Sequence, residues 1–136
     1  MGQAAAAARA GTAYEMLGGK LMVRQIVDRF YDLMDADPAY AELRALHAAD
    51  LEPIRASLTG FLVAWLGGPR DWFEEHPGLC MMSAHRDVTI TEVSARQWAD
   101  AMTHAVQDRV ADATLAEKMG EALASMALAM GGVPAR

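Results

Sequence analysis

The sequence predicts an all-α fold, and three observations carry that reading. Apolar residues recur at spacings of three and four in several segments, the period of a helix face rather than of a strand. Those segments stop at Gly18-Gly19, Asp37-Pro38 and Gly67-Gly68-Pro69, which are helix-ending combinations. Runs of Val, Ile and Thr are short, and no Asn-Gly or Asp-Gly pair separates two of them, so there is no hairpin signal.

Taken in order, residues 1–13 are rich in Ala and Gly and hold no large apolar side chain after Met1. They are expected as a flexible tail ahead of a domain spanning 14–131, with 132–136 as a short second tail. Val23, Ile26, Val27, Phe30, Leu33 and Met34 predict a helix over 21–34. Ala39 to Leu46 reads as a short helical piece, and the loop 47–50 brings Asp50 to the N-cap of the next helix. In that helix Leu51, Ile54, Leu58, Phe61, Leu62 and Trp65 form a wide apolar stripe. Residues 70–78 carry Asp71, Glu74, Glu75, Pro77 and Gly78 and read as irregular, with Trp72 and Phe73 anchoring them to the body. Thr91 is a natural N-cap for a helix reaching about Val110, with Val93, Gln97, Trp98, Met102 and Val106 on neighbouring positions of one face. A last helix, capped near Asp112 or Thr114, carries Leu115, Met119, Ala122, Leu123, Met126 and Met130.

Length and composition narrow the function. A chain of 136 residues, 53% hydrophobic and 22% charged, forms one domain with a core of its own, so a cofactor would serve function rather than folding. The formal net charge is −6 with no basic stripe, which argues against a nucleic-acid partner. No apolar run approaches the roughly 18 residues of a membrane span, and Ala4 to Ala8 is too short for a signal-peptide core. With a single Cys80, neither an internal disulfide nor a cysteine zinc site is available, and a reducing, cytoplasmic compartment is expected. Internal repeats, a glycine-rich phosphate loop, HExxH and CxxC are all missing.

The segment Leu79–Trp98 is the chemically suggestive one. His85 follows Cys80, Met81, Met82 and Ala84, so its imidazole would project from a short apolar stretch, as a haem-iron ligand does. A packed core histidine is the alternative on this stretch alone. His76, in a charged loop, and His104, beside Thr103, are expected at the surface and away from any iron.

Several separated segments then resemble one family. YEMLGG at 14–19, VDRFYDLMDADP at 27–38, LRALH at 43–47, FLVAWLGGP at 61–69 and the spacing from His85 to Trp98 (98 − 85 = 13) resemble the truncated haemoglobins of the second, O-type group. The likeness covers about residues 13–128. It implies a shortened, bacterial-like globin in which two antiparallel helix pairs, 21–34 with 50–66 and 91–110 with 113–130, sandwich a b-type haem (iron protoporphyrin IX).

By that resemblance His85 is the proximal iron ligand. The apolar wall of the haem pocket comes from Phe30, Ile54, Leu58, Phe61 and Leu62, with Met82 and Val88 on the proximal side. Tyr31 and Trp98 point into the distal, gas-binding side, and His47 occupies a loop position from which its ring could donate to the gas or to Tyr31, or else only cap the loop. Ile54 stands where many globins place a distal histidine. The family usually has Arg before the proximal histidine and His-x-Pro-Phe-x-Ile after it. Here Ala84 precedes His85 and Arg86-Asp87-Val88-Thr89-Ile90 follows, which makes Arg86 the candidate for a haem propionate.

Two function classes begin from that pocket. One is reversible binding of dioxygen, or of CO or NO, held tightly by Tyr31 and Trp98. The other is a redox enzyme, a nitric oxide dioxygenase or peroxidase, drawing electrons from an external reductase. A plain helical interaction module is the reading without haem. The resemblance leaves monomer and homodimer open.

Overall fold

The computed structural model describes residues 12–77, 85 and 88–131, and among them every regular element is a helix. Helix α1 (Ala13–Leu17) opens with Thr12, whose Oγ1 accepts from the Glu15 N–H. Such caps contribute about 1 kcal/mol. Gly18 ends α1 at φ 115°, a left-handed backbone that side chains with a Cβ rarely adopt.

Helix α2 (Lys20–Ala36) buries Val23, Ile26, Val27, Phe30, Tyr31 and Met34, the predicted stripe with Tyr31 added; Leu33 is only half-buried. Asp37 stops it and reverses role within one residue. Its backbone N–H bonds the Leu33 carbonyl, and its Oδ1 accepts from the Ala39 N–H to start the 3-10 turn Pro38–Tyr40. The four-residue helix α3 (Ala41–Arg44) follows directly.

Helix α4 (Glu52–Trp65) starts one residue later than the Asp50 cap predicts. Leu51 occupies the cap position, Pro53 lies in the first turn, and Asp50 Oδ1 accepts from the Glu52 N–H. The segment after Pro69, read as irregular, contains the one-turn helix α5 (Asp71–Glu75), which packs on α4. Helix α6 (Glu92–Arg109) has the predicted Thr91 cap, completed as a capping box with Ser94. Helix α7 (Ala113–Met130) is capped by Asp112, whose Oδ1 accepts from Leu115 N–H.

The most extensive helix contact is α6 on α7, followed by α2 on α6 and α2 on α4. Two pairs therefore stack, α2 with α4 and α6 with α7, and α2 is the crosspiece. Phe30, Ile26, Met34, Leu62, Met102 and Leu123 are the largest side chains sealed where they meet. Val93 departs from its predicted stripe and is 42% exposed: nine positions before Met102 it lies on the opposite side of α6, while its neighbours Ser94 and Ala95 are buried. The turn after α4 is shaped by close approach: a Cβ on Gly68 would sit 2.7 Å from the Tyr14 ring, and Tyr14 N–H bonds the Leu66 carbonyl. That glycine lets α1 lie against the α4 end.

Candidate functional site

Helix α4 carries two apolar flanks. At about 100° per residue, Ile54, Leu58, Phe61 and Trp65 fall within about 60° of one another, while Thr59, Leu62, Val63 and Leu66 lie on the adjoining flank. The second flank is fully buried, with Leu62 at 0% exposure. The first is covered incompletely: Leu58, Phe61 and Trp65 are half-buried and Ile54 is 38% exposed. Phe61 of that flank is met by α5, through Trp72 at 5.7 Å and Phe73 at 5.8 Å between centroids, so among the described residues the apolar surface left is Ile54 with half-buried Leu58 and Trp65.

Trp98 of α6 meets Phe30 of α2 edge-on at 5.1 Å between centroids, and Phe30 meets Tyr31 at 4.8 Å. Tyr31 in turn meets His47 at 5.8 Å. Three elements distant in sequence thus bring Trp98, Phe30, Tyr31 and His47 into one row. Neither the Tyr31 hydroxyl nor the Trp98 indole N–H donates to an acceptor among the described residues, and neither polar atom is sealed in the interior. By contrast, Tyr40 donates to Asp100 Oδ2 at 2.6 Å and Trp72 Nε1 to Ser57 Oγ at 3.3 Å. Burial pushes the Tyr31 phenol well above its ordinary value, with Arg55 pulling the other way, so Tyr31 keeps its proton.

His47 has a defined proton arrangement. Its Nδ1 lies 2.9 Å from the Leu43 carbonyl oxygen. A carbonyl only accepts, so Nδ1 carries the hydrogen and, in the neutral ring, Nε2 is an acceptor. Burial holds the imidazole below its ordinary pKa against the Leu43 carbonyl, and the charges of Arg44 and His85 add to the lowering. In neutral His47 this leaves Nε2 able to accept.

His85 is half-buried, and its carbonyl accepts from the Val88 N–H at 3.1 Å; Val88 is also half-buried. Met82 and Arg86 lie outside the described residues. Of the remaining histidines, His104 is exposed as expected, 3.7 Å from Asp100. His76 is half-buried instead: its ring stacks on Trp72 at 4.5 Å and its Nδ1 donates to the Trp72 carbonyl at 2.7 Å.

Two contributors to the row were not singled out from the sequence. Arg55 of α4 spans to α2, donating to Asp28 and Asp32 and lying over the Tyr31 ring. Gln97, read only as part of an apolar stripe, accepts the Leu43 N–H at 2.9 Å through Oε1. An amide within a mostly apolar helix face was the available signal for it.

A helix pair stacked on a helix pair, with a row of aromatic side chains running from α6 across α2 to the loop after α3, is the arrangement of a two-on-two globin. The family model for bacterial-like globins matches residues 12–131, and the chain belongs to that family, among the group II truncated haemoglobins. A group 2 truncated haemoglobin of Bacillus subtilis, YjbI, is 31% identical over 93 residues, 68% of this chain and 67% of the relative. The cold-adapted truncated haemoglobin of the Antarctic marine bacterium Pseudoalteromonas haloplanktis TAC125 superposes with a TM-score of 0.85 at 31% identity, covering 88% of this chain and 97% of that one. The group II two-on-two haemoglobin of the plant pathogen Agrobacterium tumefaciens gives 0.84 at 32%, covering 88% and 93%. Membership implies haem and the binding of a diatomic gas. Among the described residues no helix is long and apolar enough to cross a membrane.

Proposed function

We propose that the chain holds haem b through His85 and binds dioxygen reversibly, with Tyr31 and Trp98 as the donors that make binding tight. Carbon monoxide and nitric oxide would use the same position. The observation that carries this reading is a pair of donors without an acceptor among the described residues, the Tyr31 O–H and the Trp98 N–H, linked through Phe30. Ile54, Leu58 and Phe61 of the α4 flank would contact the macrocycle, and Val88 and Met82 would contribute on the His85 side.

Haem held through His85 would supply an iron that binds a diatomic gas. The protein's share is polar. A hydrogen bond to a partner that gains charge contributes about 1.5–3 kcal/mol, so two donors slow escape of an electron-rich gas by orders of magnitude. His47, with Nδ1 bound to the Leu43 carbonyl and Nε2 left as an acceptor in the neutral ring, does not add a third donor. The cytoplasmic setting rests on the single cysteine.

Absorption spectra after haem titration, in ferric, ferrous, oxygen-treated and CO-treated states, test the proposal. The expected ferrous spectrum is five-coordinate and shifts with either gas. A ferrous protein already six-coordinate without gas, or one that retains no haem, contradicts it.

A further inference from the structure

We infer that Gln97 is a positioning residue that locks His47 in its acceptor tautomer and ties it to the helix carrying Trp98. The inference rests on the proposed gas pocket for its functional consequence, although the hydrogen-bond chain stands without it.

The chain has three links. Gln97 Oε1 accepts from the Leu43 N–H at 2.9 Å, the Leu43 carbonyl accepts from His47 Nδ1 at 2.9 Å, and Gln97 precedes Trp98 in α6. Helix α3 has only four residues, so its first amide groups lack partners within the helix. Leu43, 4% exposed, is where an unpaired amide would be costly, and the Gln97 amide oxygen meets that need from another helix. The same residue's carbonyl then faces His47. Holding Leu43 thus fixes both the hydrogen-bond acceptor that selects the Nδ1–H form and the direction in which Nε2 points.

Two other bonds join these elements without touching Leu43. Tyr40 O–H donates to Asp100 Oδ2, and Thr91 O–H donates to Glu42 Oε2. They hold the 3-10 turn and α3 against α6 generally, whereas the Gln97 bond is the one from α6, among the described residues, that reaches the residue His47 uses; within the loop the Leu43 carbonyl also accepts from the Leu46 N–H at 3.1 Å. This makes a local effect separable from simple loosening.

The test compares Gln97→Leu, Gln97→Glu and Tyr40→Phe in the full-length, haem-loaded ferrous CO form, which is diamagnetic. The readouts are the imidazole nitrogen shifts of His47 by NMR and hydrogen exchange at its Nδ1. Gln97→Leu keeps the bulk and deletes the acceptor, so the tautomer should become mixed and Nδ1–H exchange about tenfold faster, the factor expected for one lost hydrogen bond. Gln97→Glu retains an acceptor and should match the wild type. Tyr40→Phe should lower the melting temperature yet leave the His47 shifts in place. Unchanged His47 shifts in Gln97→Leu overturn the inference, as does a shift of equal size in Tyr40→Phe. Oxygen dissociation measured alongside separates the two claims: altered tautomer with unaltered dissociation removes His47 from the gas pocket while leaving the positioning role of Gln97 intact.

Discussion

The guanidinium carbon of Arg55 lies 5.7 Å from the centroid of the Tyr31 ring. Its nitrogens are held by Asp28 and Asp32, carboxylates one turn apart on α2 that flank Tyr31, and by the Asp28 carbonyl. Arg55 is only 17% exposed, although its partners are 40% and 61% exposed, so solvent screens part of the attraction. Arg55→Met should cost about 1–2 kcal/mol in chemical denaturation, a value discounted for that exposure. Arg55→Lys should recover little, because an ammonium cannot fork between two carboxylates. Equal stability of wild type and Arg55→Met would show that the cluster is only a surface ornament.

The raised pKa of Tyr31 sets a direction for alkaline stability. Its folded value lies above the ordinary 10.0, so above that pH the folded chain binds more protons than the unfolded one. The stabilisation is complete below the ordinary value and is lost as pH rises toward the folded value. Tyr40, raised by burial and by its bond to Asp100, acts in the same sense. Urea midpoints measured in an alkaline series should fall for the wild type and fall less steeply for Tyr31→Phe. Parallel slopes in the two proteins would remove Tyr31 as the source.

Much of this architecture was legible in the sequence, and the residues show why. Helices α2, α6 and α7 each carry their own apolar period and their own stop or cap, so Val23 through Met34, Thr91 and Asp112 announce them. Helix α1 has five residues, too few for a period; its one signal was Thr12 three positions before Glu15. Ile54 and Val93 show a different limit: a stripe identifies a face but not what covers it, and both are more than a third exposed. For the candidate site, the aromatic row could be named from motif likeness. The Arg55 cluster and the Gln97 link could not, since they join residues 23 to 54 positions apart and leave no local pattern.

Gly68 tests the packing of α1 on the end of α4. A methyl group there would lie 2.7 to 2.9 Å from the Tyr14 ring carbons, so the ring must shift. Gly68→Ala should lower stability by about 1–3 kcal/mol, the range for overpacking. Gly68→Ala with Tyr14→Ala should recover part of the loss relative to Tyr14→Ala alone, because the clash is gone. A fully additive double mutant would place the cost elsewhere.

His85→Ala removes the proposed protein–iron bond and leaves apolar contacts to retain the cofactor. Haem transfer to an excess of apo-myoglobin should therefore be much faster than from the wild type. Haem should also raise the thermal midpoint of the wild type, since a ligand bound only by the folded state stabilises it. A His85→Ala protein with wild-type haem retention and a wild-type ferrous spectrum would assign the iron to another residue.

The central claim is that Trp98 holds the gas by donating a hydrogen bond. The indole N–H can only donate, and it has no acceptor among the described residues. Trp98→Phe keeps an aromatic ring against Phe30 and deletes the donor. Stopped-flow displacement of dioxygen and of carbon monoxide from both proteins measures the consequence. Oxygen escape should be faster by about tenfold or more, equivalent to about 1.4 kcal/mol, with a smaller factor for carbon monoxide, which carries less charge when bound. Equal acceleration of both gases would show that Trp98 acts as a steric wall, and no acceleration would place it outside the pocket.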